Sequence, residues 1–214
     1  MKLINLTKPI LMFTRHIRWM GWSRPLWLIR NPKLPKCKAD VYRKLKDILQ
    51  PGDILLTRTD GYVSTWMVPG YLTHAGVYVG GYDGRSERVI ESVGEGVRDT
   101  DIIDFLQEDC VVVIRNTHTA EEVCYDTIGG KPFTVGQWSA YRAACACDEQ
   151  LVYDHVFDFI DAKRVCCTEL VCICYPTTRW GKQRFGRYTV VADDIYQYTK
   201  QSDDFAVVFD SRSN

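Results

Sequence analysis

"VCCTELVCICY", residues 165–175, holds four of the nine cysteines of this 214-residue chain within nine positions. A cluster this dense is a metal site, a disulfide cluster, core filler or the seat of a reactive thiol, and the choice decides the fold. Disulfides fit worst. Nine is an odd number, and no spacing matches a small secreted scaffold. The opening "MKLINLTKPILMFTRHIRW" is broken by Lys8 and Pro9 and lacks a small-residue cleavage site, so it does not read as a signal peptide. The expected address is a reducing cytoplasm with free thiols.

Zinc fits little better. Cys145-x-Cys147 and Cys172-x-Cys174 are not the C-x2-C knuckles of structural sites, and residues two apart on a helix face different ways. Core filling is the reading for Cys145, Cys147, Cys172 and Cys174, since free Cys is among the most buried residue types. Cys167 differs by position. It opens a predicted helix with Thr168 and Glu169 in its first turn, where unpaired N–H groups and a partial positive charge lower a thiol pKa and hold an oxyanion.

A nucleophile needs a base. His16 lies in a basic arm, His118 at a strand end, and His155 between apolar residues in "YDHVFDF". His74, in "YLTHAGVYVG", heads a β-branched strand beside small Ala75 and Gly76. Glu91 stands one strand later in "RVIESVGEGV". A carboxylate inside an apolar run is costly unless paired, and His74 on a neighbouring strand would satisfy it. Spacing alone also allows Glu91 to face solvent.

Around these residues the pattern alternates strands and turns. Strand-like runs occur at 53–58, 74–80, 87–93 and 110–116, with a last one in "DDFAVVFDSR". "ADVYRKLKDIL" (39–49) reads as a helix stopped by Pro51-Gly52. "TAEEVCYDTI" (119–128) reads as a capped helix ending at Gly129-Gly130, and 137–148 as another helix. Strands, then helices, then a strand point to an α+β fold in one domain, 39–214.

Residues 1–38 form a separate basic, Trp-rich extension. Residues 1–50 carry 12 Lys and Arg against 2 Asp and Glu, whereas the remaining 164 carry 15 against 25. Two readings stand for residues 1–36: packing on the body, or an interfacial contact with a membrane through Trp and Leu beside Lys and Arg. No run in the sequence reaches the roughly 20 apolar residues of a membrane span.

"PGDILL", "THAGVYVG", "VIESVGEGV", "YDHVFDF", "CCTELVCICY" and "ADDIYQY…DDFAVVFDS", in that order over about residues 50–210, resemble the permuted NlpC-type papain-like cysteine hydrolases of the YiiX group. The resemblance implies a circularly permuted papain-like fold, in which an antiparallel sheet bearing the histidine packs against a helix bearing the cysteine. It implies Cys167 as nucleophile, His74 as base and Glu91 as the residue that orients His74, with Glu95 the less favoured acid. Two features depart from the pattern: Cys166 beside Cys167, and the length of "GGKPFTVGQWSAYRAACAC" before "YDHVFDF".

The expected function is hydrolysis of an amide, in a peptide or amino-acid amide, through a Cys-His-Glu thioester mechanism. A lipid acyl hydrolase or acyltransferase is the alternative within the same fold. A non-catalytic protein, whose arm grips anionic lipid or nucleic acid, is the alternative from another class. No cofactor or metal and no specific nucleic-acid partner is expected. Asp53 and Thr73 are expected to serve structure, and Tyr78 to pack or to line the cleft.

Overall fold

The computed structural model describes residues 36–213 other than 38, 62–64, 66–67, 82–85, 129–130, 158, 160, 162 and 185, together with two short paired strands, β1 (Ile17–Arg18) and β2 (Trp27–Leu28). The extension 1–38, and with it the membrane-contact reading and His16, falls almost wholly outside the described residues. Among the described residues no helix is long and apolar enough to cross a membrane.

The protein is α+β. Its centre is a six-stranded antiparallel sheet made of β3 (Ile54–Arg58), β4 (His74–Gly81), β5 (Glu87–Val93), β6 (Gly96–Asp101), β7 (Cys110–Asn116) and β12 (Phe205–Asp210), in the spatial order β12-β7-β3-β4-β5-β6. The central strands are apolar without alternation because both of their faces are covered. Ile54, Leu56, Ala75, Val77, Ile90, Val112 and Ile114 join one core cluster. Their neighbours Leu55, Tyr78, Val89, Val111 and Val113 join a second one.

Five helices among the described residues cover these faces. The first cluster is closed by α3 (Val135–Asp148), α4 (Cys167–Cys174) and α5 (Ala192–Tyr198), through Ala143, Ala146, Leu170, Val171, Cys174 and Ile195. The second is closed by α1 (Ala39–Leu45) and α2 (Ile102–Phe105), through Val41, Leu45, Ile102 and Phe105. Thr134 starts α3 with a reciprocal cap: its hydroxyl accepts from Gln137 N–H at 3.3 Å, and Gln137 Oε1 accepts from Thr134 N–H at 3.0 Å.

Residues 119–128 correct the sequence expectation. They hold no helix: β8 (Glu122–Ile128) pairs with β9 (Lys131–Thr134). Val123, Tyr125 and Thr127 recur at a period of two, and these residue types prefer strands. Thr119 and the acidic pair after it imitate a helix cap. Gly129-Gly130, read as a helix stop, lies outside the described residues. A further small hairpin, β10 (Lys182–Arg184) with β11 (Arg187–Thr189), precedes α5.

Asp53 and Gly52 show how "PGD" positions the sheet. Asp53 is fully buried, accepts from Gln50 N–H at 2.8 Å, and pairs with Arg115 of β7 at 2.7 Å. Gly52 has φ +93°, and a Cβ there would meet Gly136 O of α3 at 2.6 Å. The glycine lets the turn before β3 touch the start of α3. Thr73 gives its N–H to Thr57 O at 2.9 Å, closing the entry to β4. Both residues serve the frame. Tyr78 packs, with 4% of its surface exposed.

Candidate active site

β4 begins with His74, and β5 lies beside it in a register that places Glu91 opposite Gly76. Positions 74 and 76 project from the same side of β4, so the Glu91 carboxylate reaches the imidazole. Glu91 Oε2 and His74 Nε2 are 2.7 Å apart. The other carboxylate oxygen accepts from Arg98 Nε and Nη2, at 2.9 and 2.7 Å, and from Thr100 Oγ1 at 2.6 Å. Glu91 is buried, and burial raises its pKa, but His74, Thr100 and Arg98 outweigh this and hold it near 2. Glu91 therefore faces His74, not solvent. Glu95 sits exposed in the β5–β6 turn.

The imidazole is wedged by Phe105 of α2, with ring centroids 5.9 Å apart. Gly76 leaves space for this ring, since a Cβ there would meet Phe105 Cε2 at 2.8 Å. With Nε2 committed to Glu91, Nδ1 is the nitrogen available to a thiol. That thiol is Cys167, which hydrogen-bonds His74 across the strand end.

Cys167 is the first residue of α4, as the sequence predicts. Three contacts fix the head of this helix. Ser92 of β5 donates its hydroxyl to Val165 O. Glu169 Oε2 accepts from Cys166 N–H at 2.7 Å. Thr168 Oγ1 donates to Val190 O at 2.8 Å. Ser92 thus ties the cysteine-bearing segment to the strand that carries Glu91. The first-turn N–H groups, that of Cys167 included, have no carbonyl acceptor within the helix.

The two adjacent thiols are electrostatically opposite. Hydrogen bonding from Cys166 is the largest influence on the Cys167 sulfur and holds it well below the ordinary thiol range. Burial opposes this, and the His74 hydrogen bond and charge and the Ala75 N–H reinforce it. Burial pushes Cys166 well above that range, and the charge of Cys167 adds to it. Burial disfavours a charged imidazole at position 74, yet the contacts to Cys167 and Glu91 raise its pKa well above the usual value. Both shifts favour the charged forms, thiolate on Cys167 and imidazolium on His74. Cys167 is 7% exposed and Cys166 1%.

Several participants went unseen in the sequence. Arg98 and Thr100 were legible in principle: folding 87–101 about Gly94-Glu95 sets Arg98 opposite Glu91. Phe105 and Glu108 were not, because nothing local marks the segment after β6 as a wall of the site. Glu108 accepts from Thr59 Oγ1, and burial pushes its carboxyl up to about 7, with the His74 charge opposing. Tyr153 stands near both cysteines, and its ring meets that of His155 in a tilted contact with centroids 4.9 Å apart. His118 pairs with Glu121 on an exposed turn.

The eight described cysteines are free thiols, and among the described residues no three His, Cys, Asp or Glu side chains cluster as metal ligands. Cys174 fills the core as expected. Cys147 and Cys172 are half-buried and pack against that core; Cys145, also half-buried, lines a groove together with Cys172. Comparison with family models, curated proteins and solved structures yields no match.

Proposed function

We propose that the protein is a cysteine hydrolase of the permuted papain-like, NlpC-type architecture that cleaves an amide bond, in a small peptide or amino-acid amide, through a thioester. One observation carries the reading: a single imidazole takes a buried carboxylate on Nε2 and the first residue of a helix, a cysteine, on its other side. Nucleophile, base and orienting group stand in the order that covalent catalysis requires.

In this mechanism His74 Nδ1 holds the Cys167 proton and the thiolate attacks the carbonyl carbon. A C–S bond forms, and the carbonyl electron pair moves onto oxygen, where the Cys167 N–H at the head of α4 receives it. Collapse breaks the C–N bond as Nδ1–H protonates the departing amine. Water then attacks the thioester, gives its proton to His74, and the C–S bond breaks to release a carboxylic acid and the thiolate. Glu91 keeps the ring in place and stabilises its charged form. Cys166, with its raised pKa, is the neutral neighbour that donates to the Cys167 sulfur.

The test is intact-protein mass spectrometry after mixing with a panel of aminoacyl p-nitroanilides, p-nitrophenyl esters and short peptides. The reading expects an acyl adduct on Cys167 with amide substrates, absent in C167A and slow in H74A. An adduct with long-chain esters alone makes the protein a lipid acyl hydrolase instead. No adduct from any member, with all variants folded, overturns the catalytic reading.

A further inference from the structure

α3 and α4 lie side by side, and a groove of about 630 Å³ opens between them, within the usual size range of small-molecule sites. α3 contributes Trp138, Arg142 and Cys145, spaced four and three residues apart on one stripe. α4 contributes Glu169, Cys172 and Ile173, spaced three and one apart on another. Cys167 precedes Glu169 by two residues and so projects about 200° around the helix. The groove is behind the helix that carries the thiol and is a separate place from the Cys167–His74–Glu91 group.

Its walls are largely apolar and include Trp138, Leu151 and Ile173. Arg142 is set among them in a fixed pose: its Nε donates to Ile173 O at 2.6 Å. Among the described residues, neither Nη group of Arg142 has a hydrogen-bond or ion-pair partner. The other charges are committed or peripheral. Glu169 accepts from Cys166 and Phe159 N–H groups, and Asp161 pairs with Arg164 at 3.3 Å. Glu149 stands exposed at the end of α3, seven residues beyond Arg142.

We propose that this groove binds a small amphipathic carboxylate, its apolar chain or ring against Trp138, Leu151 and Ile173 and its carboxylate on the two Nη groups of Arg142. One planar guanidinium matches a carboxylate two-point contact. A phosphate dianion would need more cations, and Asp161 and Glu149 at the groove would oppose it. The site does not depend on the catalytic reading, and C167A retains it.

The test uses the full chain with decanoate and 4-phenylbutanoate as aliphatic and aromatic probes, and decanamide and inorganic phosphate as controls. Binding is followed by titration calorimetry and by protection of Cys145 from alkylation. Saturable binding of one or both carboxylates is expected, with the better one telling a chain from a ring. Decanamide and R142Q should each weaken binding tenfold or more, the range for loss of a charge-assisted hydrogen bond. C145W, which fills the groove, should block binding, and E149Q should leave it equal or tighter. No saturable binding at millimolar carboxylate overturns the proposal. So does undiminished binding in both R142Q and C145W, tighter binding of phosphate, or loss of binding in E149Q.

Discussion

Glu91 Oε2 lies 2.7 Å from His74 Nε2, and Arg98 and Thr100 occupy the other carboxylate oxygen. Both carboxylate oxygens are engaged, so the imidazole edge facing Cys167 is held by a carboxylate that is itself held.

Glu91→Gln removes the negative charge while preserving the shape. The His74 pKa should fall and that of Cys167 rise, because each depends on the charge of the other. The expected outcome is a loss of roughly 10²–10⁴-fold in turnover, the scale of losing general-base function or its orienting carboxylate. A pH profile of Cys167 alkylation checks it: its midpoint should move to higher pH.

Cys166→Ala tests the neighbouring thiol. The variant should keep catalysis, since Cys166 is buried and its pKa is raised. It should also shift the Cys167 alkylation midpoint upward, since Cys166 is the largest single influence holding that sulfur low. Abolished catalysis with normal Cys167 alkylation would make Cys166 the nucleophile.

How far these residues could be read from the sequence follows from where their partners lie. Cys167 was legible because a helix start is a local signal, and His74 because a strand head beside Ala75 and Gly76 is one too. Glu91 was half legible: an acid in an apolar strand is conspicuous, but its direction depends on strand register. Arg98 needed the hairpin register as well, while Phe105, Glu108 and Tyr153 arrive by tertiary packing. Residues 119–128 misled because cap residues and strand residues share one segment, and pairing with 131–134 decided the contest.

Glu108 sets a pH dependence of stability. Burial raises its folded pKa to about 7 from an ordinary 4.5. A carboxyl whose folded pKa is raised favours the folded state in its protonated form, so stability should fall as pH rises from about 4.5 to 7. The loss is on the order of 2–3 kcal/mol. Glu108→Gln should be flatter and more stable at pH 8 by urea denaturation. Glu169, also pushed up to about 7 by burial, leaves part of the slope. Glu91 acts in the opposite sense at the acid end: its lowered pKa gives stability that is present above about 4.5 and lost as pH falls toward 2.

Gly76→Ala puts a methyl group 2.7 Å from Val89 Cγ1 and 2.8 Å from Phe105 Cε2. The overpacking should cost about 1–3 kcal/mol and push Phe105 against His74. Thermal unfolding reports the first effect, and a slower Cys167 alkylation rate reports the second.

The central claim, a Cys167 thiolate sustained by His74, is tested most directly by limiting iodoacetamide labelling of the native protein from acid to neutral pH, read residue by residue by peptide mass spectrometry. The account predicts that Cys167 reacts far ahead of the other cysteines, with an apparent pKa well below the roughly 8.5 of a free thiol, and that His74→Ala removes this lead. Labelling of Cys167 no faster than that of Cys145 or Cys147, or a lead that survives His74→Ala, would contradict it.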